Sequence, residues 1–188
     1  LKDLTDCGLP VSLDTCHAEV LSAALHYDIS LINDISGLSS KEFAAAAADS
    51  GLPVIAMASH ELPGDAKDLA STRTALSEVL NRADAYGITD LILDPGIGKW
   101  VAGRDADADW ELCRRFHELT VYDRPLLAAV SRKQFLGECV NKAPHERLFA
   151  SLAMLYHLME EGADLLRVHD VAATHDFVQV FLQIKKRM

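Results

Sequence analysis

Long apolar runs, an excess of positive charge and metal-type cysteine spacings are all missing from this sequence of 188 residues. Charges or glycines interrupt every apolar stretch before it reaches the length of a membrane span. The formal net charge is −10, which does not favour a general nucleic-acid-binding surface. We therefore expect neither a membrane nor nucleic acid as a partner, and any anionic ligand must be met locally by a few placed cations.

The cysteines, Cys7, Cys16, Cys113 and Cys139, form no C-x-x-C pair and no other spacing typical of a metal site. The first ten residues, LKDLTDCGLP, carry no targeting pattern. Reduced thiols are the ordinary state of such cysteines in the cytosol. We therefore expect a cytoplasmic location.

What the sequence does contain is a repeated alternation of strand and helix patterns, with 49% hydrophobic residues, enough for one real core. The apolar runs are continuous rather than alternating, which is typical of parallel strands covered on both faces. The predicted strands are 11–14, 29–34, 54–58, 91–94, 126–131 and 165–169. The predicted helices are 18–27, 39–50, 69–86, 110–120, 146–160 and 174–186.

Six such units fit either a doubly wound open sheet or a β/α barrel. Nearly every predicted strand ends in residues capable of chemistry, in the segments SLDT, LINDIS, AMASH, LILDPG, AVSRK and RVHD. A (β/α)8 barrel assembles its active site from such strand ends, whereas an open sheet concentrates them at one or two switch points. The pattern therefore predicts an α/β protein with the (β/α)8 TIM barrel fold, of which about six βα units lie in this chain.

Two strand ends carry polar groups whose role the residues alone leave open. The carboxylate of Asp14 could bind a ligand or cap the helix predicted to start near Ala18. Asn33 offers both a donor and an acceptor, which suits the edge of a heterocycle, although with Asp34 it could equally form a turn.

The segment LILDPGIGKW is more specific, because Asp94 ends the strand and Gly96 and Gly98 let the backbone approach a ligand closely. A buried, ionised aspartate can accept hydrogen bonds from the amino group and ring N–H of a pterin-like or guanine-like ring. A plain turn is the alternative for a D-P-G tripeptide.

Cations follow the last two predicted strands. Lys133 could be a Schiff-base nucleophile, a cation for carbonyl or phosphate groups, or a surface residue. Arg167 and His169 lie two residues apart and therefore on one face of a strand, where they could clamp a diphosphate. The residues suggest no partner for Arg132.

Taken in order, SLDT, LINDISG, LILDPGIG, SRKQFLG and ERLFASLAM with GADLLRVHDV resemble the motifs of the dihydropteroate synthase family, the pterin-binding barrel enzymes of folate synthesis. The combination of D-P-G-x-G, S-R-K-x-F-x-G and R-V-H-D is highly specific. The resemblance implies that the chain holds the third to eighth units of the barrel. Residues 1–188 would then form a single pterin-binding barrel domain lacking its first two βα units.

The chemistry that the resemblance implies is displacement of diphosphate from 6-hydroxymethyl-7,8-dihydropterin diphosphate by an arylamine, 4-aminobenzoate in folate synthesis. By similarity the pterin would be held by Asp14, Asn33, Met57, Asp94 and Lys133. Asp94 and Lys133 would be the catalytic residues. Ser131 would position the arylamine, and Arg167 and His169 would bind the diphosphate.

The family also implies Mg²⁺ and a homodimer. The magnesium ligand would lie in the first two units, so no metal ligand is expected in this chain. Two departures concern the arylamine: Ala58 follows Met57 where the family usually has histidine, and the loop DPGIGKW lacks a phenylalanine that Trp100 could replace. They leave room for another arylamine, such as the ribosylated aniline of methanopterin synthesis.

Three alternatives stay open. A pterin-binding methyltransferase domain would share the pterin-binding aspartate and asparagine but has no use for a diphosphate clamp. A degenerate, non-catalytic pterin-binding barrel would tolerate the altered loops. A Schiff-base aldolase would use Lys133, with a pKa lowered by Arg132 beside it.

Overall fold

The structure is a computed structural model that describes residues 1–4 and 8–186, so that Cys7 lies outside the described residues. Within these ranges the strands are β1 (Ser12–Asp14), β2 (Leu31–Asp34), β3 (Val54–Met57), β4 (Leu91–Asp94), β5 (Leu127–Ala128) and β6 (Leu165–Leu166). The α-helices are α1 (Ala18–Ala24), α2 (Lys41–Ser50), α3 (Leu69–Tyr86), α4 (Ala106–Arg114), α5 (Gln134–Val140), α6 (Leu148–Glu160) and α7 (Val171–Lys185).

The strands pair in the order in which they occur in the sequence. β1 to β4 form one parallel sheet, a parallel bridge between Leu93 and Leu126 leads on towards β5, and β5 pairs in parallel with β6. A doubly wound sheet would reverse its strand order at a switch point. The unbroken order over the described residues is that of a β/α barrel wall, as the polar strand ends predicted.

Side chains of the strands alternate between two apolar faces. The outer face packs against the helices in the main core, to which Ile32, Val54, Ala56, Leu93, Leu126 and Ala128 belong. The inner face carries a smaller cluster, formed by Leu31, Ile55, Ile92, Leu127, Ala129 and Leu165. Continuous apolar runs are needed because each strand is covered on both faces.

The alternation places the polar strand ends on the inner face. Asn33 lies two residues beyond Leu31, Asp94 two beyond Ile92, and Arg167 two beyond Leu165, so each follows an inner-face residue with the same orientation. Their side chains therefore form the layer above the small inner cluster, at the carboxyl ends of the strands. No helix among the described residues is both long and apolar enough to cross a membrane.

Local capping sets the limits of helices α2 and α3. Asp68 and Ser40 accept hydrogen bonds from first-turn amides of α3 and α2, and both helices end on a left-handed glycine, Gly87 and Gly51. The prediction of a helix over Leu69–Tyr86 is confirmed to the residue.

Three local features differ from the sequence interpretation. The helix predicted at 110–120 begins earlier, because Asp105 caps it and acidic residues in the first turn favour the helix dipole; a 3₁₀ segment, Phe116–Tyr122, follows after Arg114. Helix α5 was not predicted, since its seven residues are too few for clear periodicity. Asp14 does not cap α1, whose N-cap is His17 without a side-chain bond.

Gly37 and Gly51 provide a matched test of how tightly the turn after β2 is packed. Both have φ of +64°, but a Cβ on Gly37 would lie 2.5 Å from the Met57 carbonyl oxygen, whereas nothing lies within 4 Å at Gly51. We expect Gly51→Ala to lower the free energy of unfolding by about 1–2 kcal/mol. Gly37→Ala should cost roughly 3 kcal/mol or more, because backbone overlap adds to the strain. Urea denaturation measures both, and equal costs would contradict the packing described.

Candidate active site

Asp94, the last residue of β4, is a buried carboxylate at the centre of the polar layer, with 2% of its surface exposed. Its Oδ1 accepts a hydrogen bond from the Gly96 amide at 2.8 Å, and its Oδ2 accepts one from Arg167 at 3.2 Å. Burial raises the pKa of this carboxyl, and the guanidinium of Arg167 is the strongest of the groups that oppose the rise. The site therefore contains a carboxylate whose charge is costly and depends on neighbouring donors.

Asn33 and Asp34 lie on opposite faces of the strand, and the turn interpretation is confirmed for Asp34 only. Asp34 faces away and organises the turn, accepting hydrogen bonds from the Ser36 amide and hydroxyl and from the Leu38 amide. Asn33 lies on the inner face, where its Oδ1 accepts from Arg167 Nη1 at 2.8 Å. Its Nδ2 is buried and has no hydrogen-bond partner among the described residues. Asn33 thus has a free donor in the site.

Arg167 joins the ends of three strands. From just beyond β6 its guanidinium donates to Asn33 at the end of β2 and to Asp94 at the end of β4. Its side chain keeps 39% exposure, so one side of the guanidinium borders solvent. The residue predicted for a diphosphate clamp is therefore in contact with two of the residues predicted for the pterin.

Met57 and Asp14 flank this group on the same face. Met57 is adjacent to Asp94 in the β3–β4 register, is 1% exposed, and has its Cγ 3.2 Å from where a Cβ on Gly96 would lie. Asp14 is adjacent to Asn33 in the β1–β2 register but is exposed. The strand register therefore places both side chains beside the polar centre, one packed and one open to solvent.

Lys133 approaches from the loop after β5. Its Nζ lies 5.0 Å from the ring centre of Trp100 and 2.9 Å from where a Cβ on Gly98 would lie, so only glycine allows this approach. No carboxylate among the described residues lies within 4 Å of it. Burial lowers the pKa of Lys133, and Asp94 is the main group that opposes the fall.

Ser131 and His169 form one unit. The Ser131 hydroxyl is 3.0 Å from His169 Nδ1 and also accepts from the His169 amide at 3.2 Å. Ser131 is only 6% exposed. The serine predicted for the arylamine therefore also fixes the ring of the histidine predicted for the diphosphate.

Arg132, for which the sequence suggested no partner, forms a two-point ion pair with Asp170. Its Nε donates to Oδ2 at 3.0 Å and its Nη2 to Oδ1 at 2.5 Å. The backbone of Arg132 is left-handed, with φ of +59°, and is held by Ser151 and Arg147. The idea that Arg132 lowers the pKa of Lys133 is wrong: after burial, the cations that lower it are Arg167 and Arg104.

A second ion pair, between Arg104 and Asp109, was missed in the sequence. The two side chains are 1% and 2% exposed, and Arg104 Nε donates to Asp109 Oδ1 at 2.9 Å. The same oxygen accepts from the Gly98 amide at 2.8 Å, and Arg104 Nη1 donates to the Ala66 carbonyl at 2.8 Å. The pair therefore fixes the loops after β3 and β4, including the glycine against which Lys133 lies.

Among the described residues, no three histidine, cysteine, aspartate or glutamate side chains lie together as metal ligands. The expected magnesium, with its ligand outside this chain, stays a prediction.

The model of the pterin binding enzyme family matches residues 1–169 of the chain. The chain is 33% identical over 179 residues to the dihydropteroate synthase of Escherichia coli (strain K12), an alignment that covers 90% of this chain and 62% of the relative. It thus spans less than two thirds of that relative's length.

Solved structures of dihydropteroate synthases are also similar to this chain. A dihydropteroate synthase from Xanthomonas albilineans with 4-aminobenzoic acid gives a TM-score of 0.88 at 33% identity, covering 98% of this chain and 68% of that one. One from Stenotrophomonas maltophilia with active site-bound imidazole gives 0.89 at 32% identity, covering 98% and 72%. The TIM barrel fold is therefore shared, as the sequence predicted.

The Arg104–Asp109 pair can be tested by comparing a broken pair with a neutral one. Arg104→Met leaves a buried carboxylate without its counter-ion and should lower the free energy of unfolding by about 3–5 kcal/mol. In the double variant Arg104→Met/Asp109→Asn no charge remains and the amide oxygen can still accept from Gly98. We expect it to recover part of the loss in urea denaturation. A double variant no more stable than Arg104→Met would contradict this account.

Proposed function

This chain belongs to the pterin-binding enzyme family, and on that premise we propose that it acts as a transferase of the dihydropteroate synthase type. It would condense 6-hydroxymethyl-7,8-dihydropterin diphosphate with 4-aminobenzoate or a related arylamine and release diphosphate. The observation that carries the proposal is the meeting of Asn33, Asp94 and Arg167 at three strand ends. This group offers a ring-edge acceptor, a free donor and a cation for a leaving group.

The pterin would bind on the inner face. Asp94 accepts from the amino group and ring N–H, and the free Nδ2 of Asn33 donates to a ring acceptor. Met57 forms the apolar floor, and Asp14 closes the solvent side. Lys133, which forms no ion pair within the described part of the chain, would reach the pterin carbonyl and the N5 region. The related enzyme of Coxiella burnetii has been solved in complex with pteroic acid and that of Xanthomonas albilineans with 7,8-dihydropteroate, which supports a pterin ligand here.

The diphosphate would be bound by Arg167 and His169. In the reaction the arylamine nitrogen attacks the methylene carbon, the bond from that carbon to the diphosphate oxygen breaks, and the arylamine loses a proton. Positive character that develops on the pterin would be stabilised by Asp94, while Arg167 and His169 would bind the departing diphosphate. No protein nucleophile is needed, because positioning and charge stabilisation act on both substrates.

The arylamine would lie near Ser131 and Trp100. Trp100 packs so closely on Gly64 that a Cβ there would lie 2.3 Å from it, and its buried Nε1 has no partner among the described residues. We propose that this indole replaces the missing phenylalanine as a wall of the arylamine pocket. The carboxylate of the arylamine would bind the same Ser131 hydroxyl that contacts His169.

The remaining features of the proposal rest on the family alone. They are Mg²⁺, a homodimer, a cytoplasmic location, and one pterin-binding barrel domain over residues 1–188.

The reaction is tested on the complete gene product with the pterin diphosphate and 4-aminobenzoate, by following diphosphate release and formation of dihydropteroate. We expect both products in equal amounts and none without the arylamine. The ribosylated aniline serves as a second arylamine. Pterin binding without release of diphosphate from the pterin substrate in the presence of either arylamine would exclude the synthase and favour a binding-only barrel.

We expect Asp94→Asn to change stability and activity in opposite directions. Burial raises the folded pKa of Asp94, so the fold disfavours the ionised carboxylate relative to the unfolded chain, and stability is lost as the pH rises from the unfolded pKa towards the folded one. The variant removes that loss, because asparagine has no charge to bury. It should therefore be more stable than the parent near neutral pH, yet at least roughly 100-fold less active.

Urea denaturation of both proteins at pH 4.5 and pH 7.5 measures how the difference in their free energies of unfolding changes with pH. The advantage of Asp94→Asn should be larger at the higher pH. If the stability of the variant relative to the parent instead fell between pH 4.5 and pH 7.5, the ionised carboxylate would stabilise the fold and this account would be wrong.

A further inference from the structure

Ser71, His60 and Glu78 meet beside α3, and none of them belongs to the candidate active site. His60 Nδ1 lies 3.0 Å from Glu78 Oε2, and His60 Nε2 lies 3.1 Å from Ser71 Oγ. All three residues are partly buried. A hydroxyl within hydrogen-bond reach of an imidazole, which a carboxylate orients from its other nitrogen, is the arrangement of a serine-nucleophile triad.

The carboxylate fixes the direction of both hydrogen bonds. An ionised glutamate only accepts, so Nδ1 of His60 carries the proton and Nε2 of the neutral ring is left as an acceptor. The Ser71 hydroxyl therefore donates to Nε2, as a nucleophile must when the histidine is its base. Thr74 and Ser77 on the same helix instead donate to the carbonyls four residues earlier, which is a common bond of a hydroxyl within a helix.

Contacts from residues outside the triad hold His60 in this position. Arg82 Nη2 donates to the His60 carbonyl at 2.6 Å and to Glu78 Oε2 at 3.3 Å, so one guanidinium links the backbone of His60 to the carboxylate. The His60 amide donates to Asp65 Oδ1 at 2.7 Å. The imidazole is therefore attached to a segment that is fixed at both its amide and its carbonyl.

Ser71 is the third residue of α3 and lies in the turn whose amides have no partner within the helix. Amides at the positive end of a helix dipole can stabilise an oxyanion. The amides of Leu69 and Ala70 belong to this turn, and both residues line a cleft of about 520 Å³ together with Arg73 and Arg115. The start of α3 thus offers donors for a developing negative charge and room for a small ester.

We propose that Ser71, His60 and Glu78 form a further catalytic site that hydrolyses small esters of carboxylic acids. The Ser71 oxygen attacks the carbonyl carbon of the ester, and its proton passes to His60 Nε2. The bond from that carbon to the alcohol oxygen breaks, and the alcohol leaves with the proton from His60. Water then attacks the acyl group on Ser71 and gives a proton to His60, which returns it to the Ser71 oxygen as the acid is released.

Hydrolysis of p-nitrophenyl acetate by the complete gene product tests this activity, which does not depend on the proposed transferase. Ser71→Ala and His60→Gln should each lower the protein-dependent rate roughly 100-fold or more, as loss of a positioned acid–base pair does. Glu78→Gln should lower it at least about tenfold, because a neutral amide does not stabilise the imidazolium. Ser77→Ala is the matched control: it removes a hydroxyl that donates to a carbonyl of the same helix, and it should keep the parent rate.

An alkyl fluorophosphonate locates the nucleophile by mass spectrometry of the peptides. It should modify Ser71 in the parent protein and in Ser77→Ala, but not in His60→Gln. A pair of cysteine variants tests the base separately: the thiol of Ser71→Cys should react with iodoacetamide faster than that of Ser77→Cys, because a base beside a thiol favours the thiolate. Thermal unfolding shows whether each variant is folded.

Three results would overturn the proposal. They are absence of ester hydrolysis by the parent protein, a rate that survives Ser71→Ala, and a fluorophosphonate that leaves Ser71 unmodified. With any of them, the three side chains would serve only to attach the loop after β3 to α3.

Discussion

The candidate site depends on one geometric constraint, the alternation of side chains along parallel strands that lie in register. Asn33 and Ile55 are partners in the β2–β3 register, and Met57 and Asp94 in the β3–β4 register. Residues paired in this way share a face, so an apolar inner cluster below and a polar layer above follow from the same pattern. A shift of one residue in any strand would turn its polar end into the helix-packed core.

Strand pairing alone does not place the groups that come from loops. β5 and β6 pair over only two residues each, yet the segments after them carry Ser131, Lys133 and His169. Ion pairs and arginine–carbonyl contacts replace the missing ladder: Arg132 with Asp170 joins these two loops, and Arg104 with Asp109 fixes the loop that Lys133 contacts. Buried or two-point pairs suit this task because their geometry is directional, whatever their net contribution to stability.

The sequence predicted what depends on short-range pattern and little of what depends on loops. Strand order, the inner-face position of Asn33, Asp94 and Arg167, and the long helix α3 follow from periodicity and strand ends. The partner of Arg132 could not be found, because Asp170 is 38 residues away and meets it only once two strands pair. Asp109 was overlooked since an acidic residue in the first turn of a helix ordinarily faces solvent.

Charge compensation explains why an acidic protein can present a site for an anion. The chain has a formal net charge of −10, so its general surface does not attract diphosphate. Around Asp94, however, Arg167, Lys133 and Arg104 are all close enough to affect its pKa. One buried carboxylate thus has positive charge beside it, in direct contact with Arg167. In the proposed function, the carboxylate that would bind the ring is therefore also the group that holds Arg167 near the site of the leaving group.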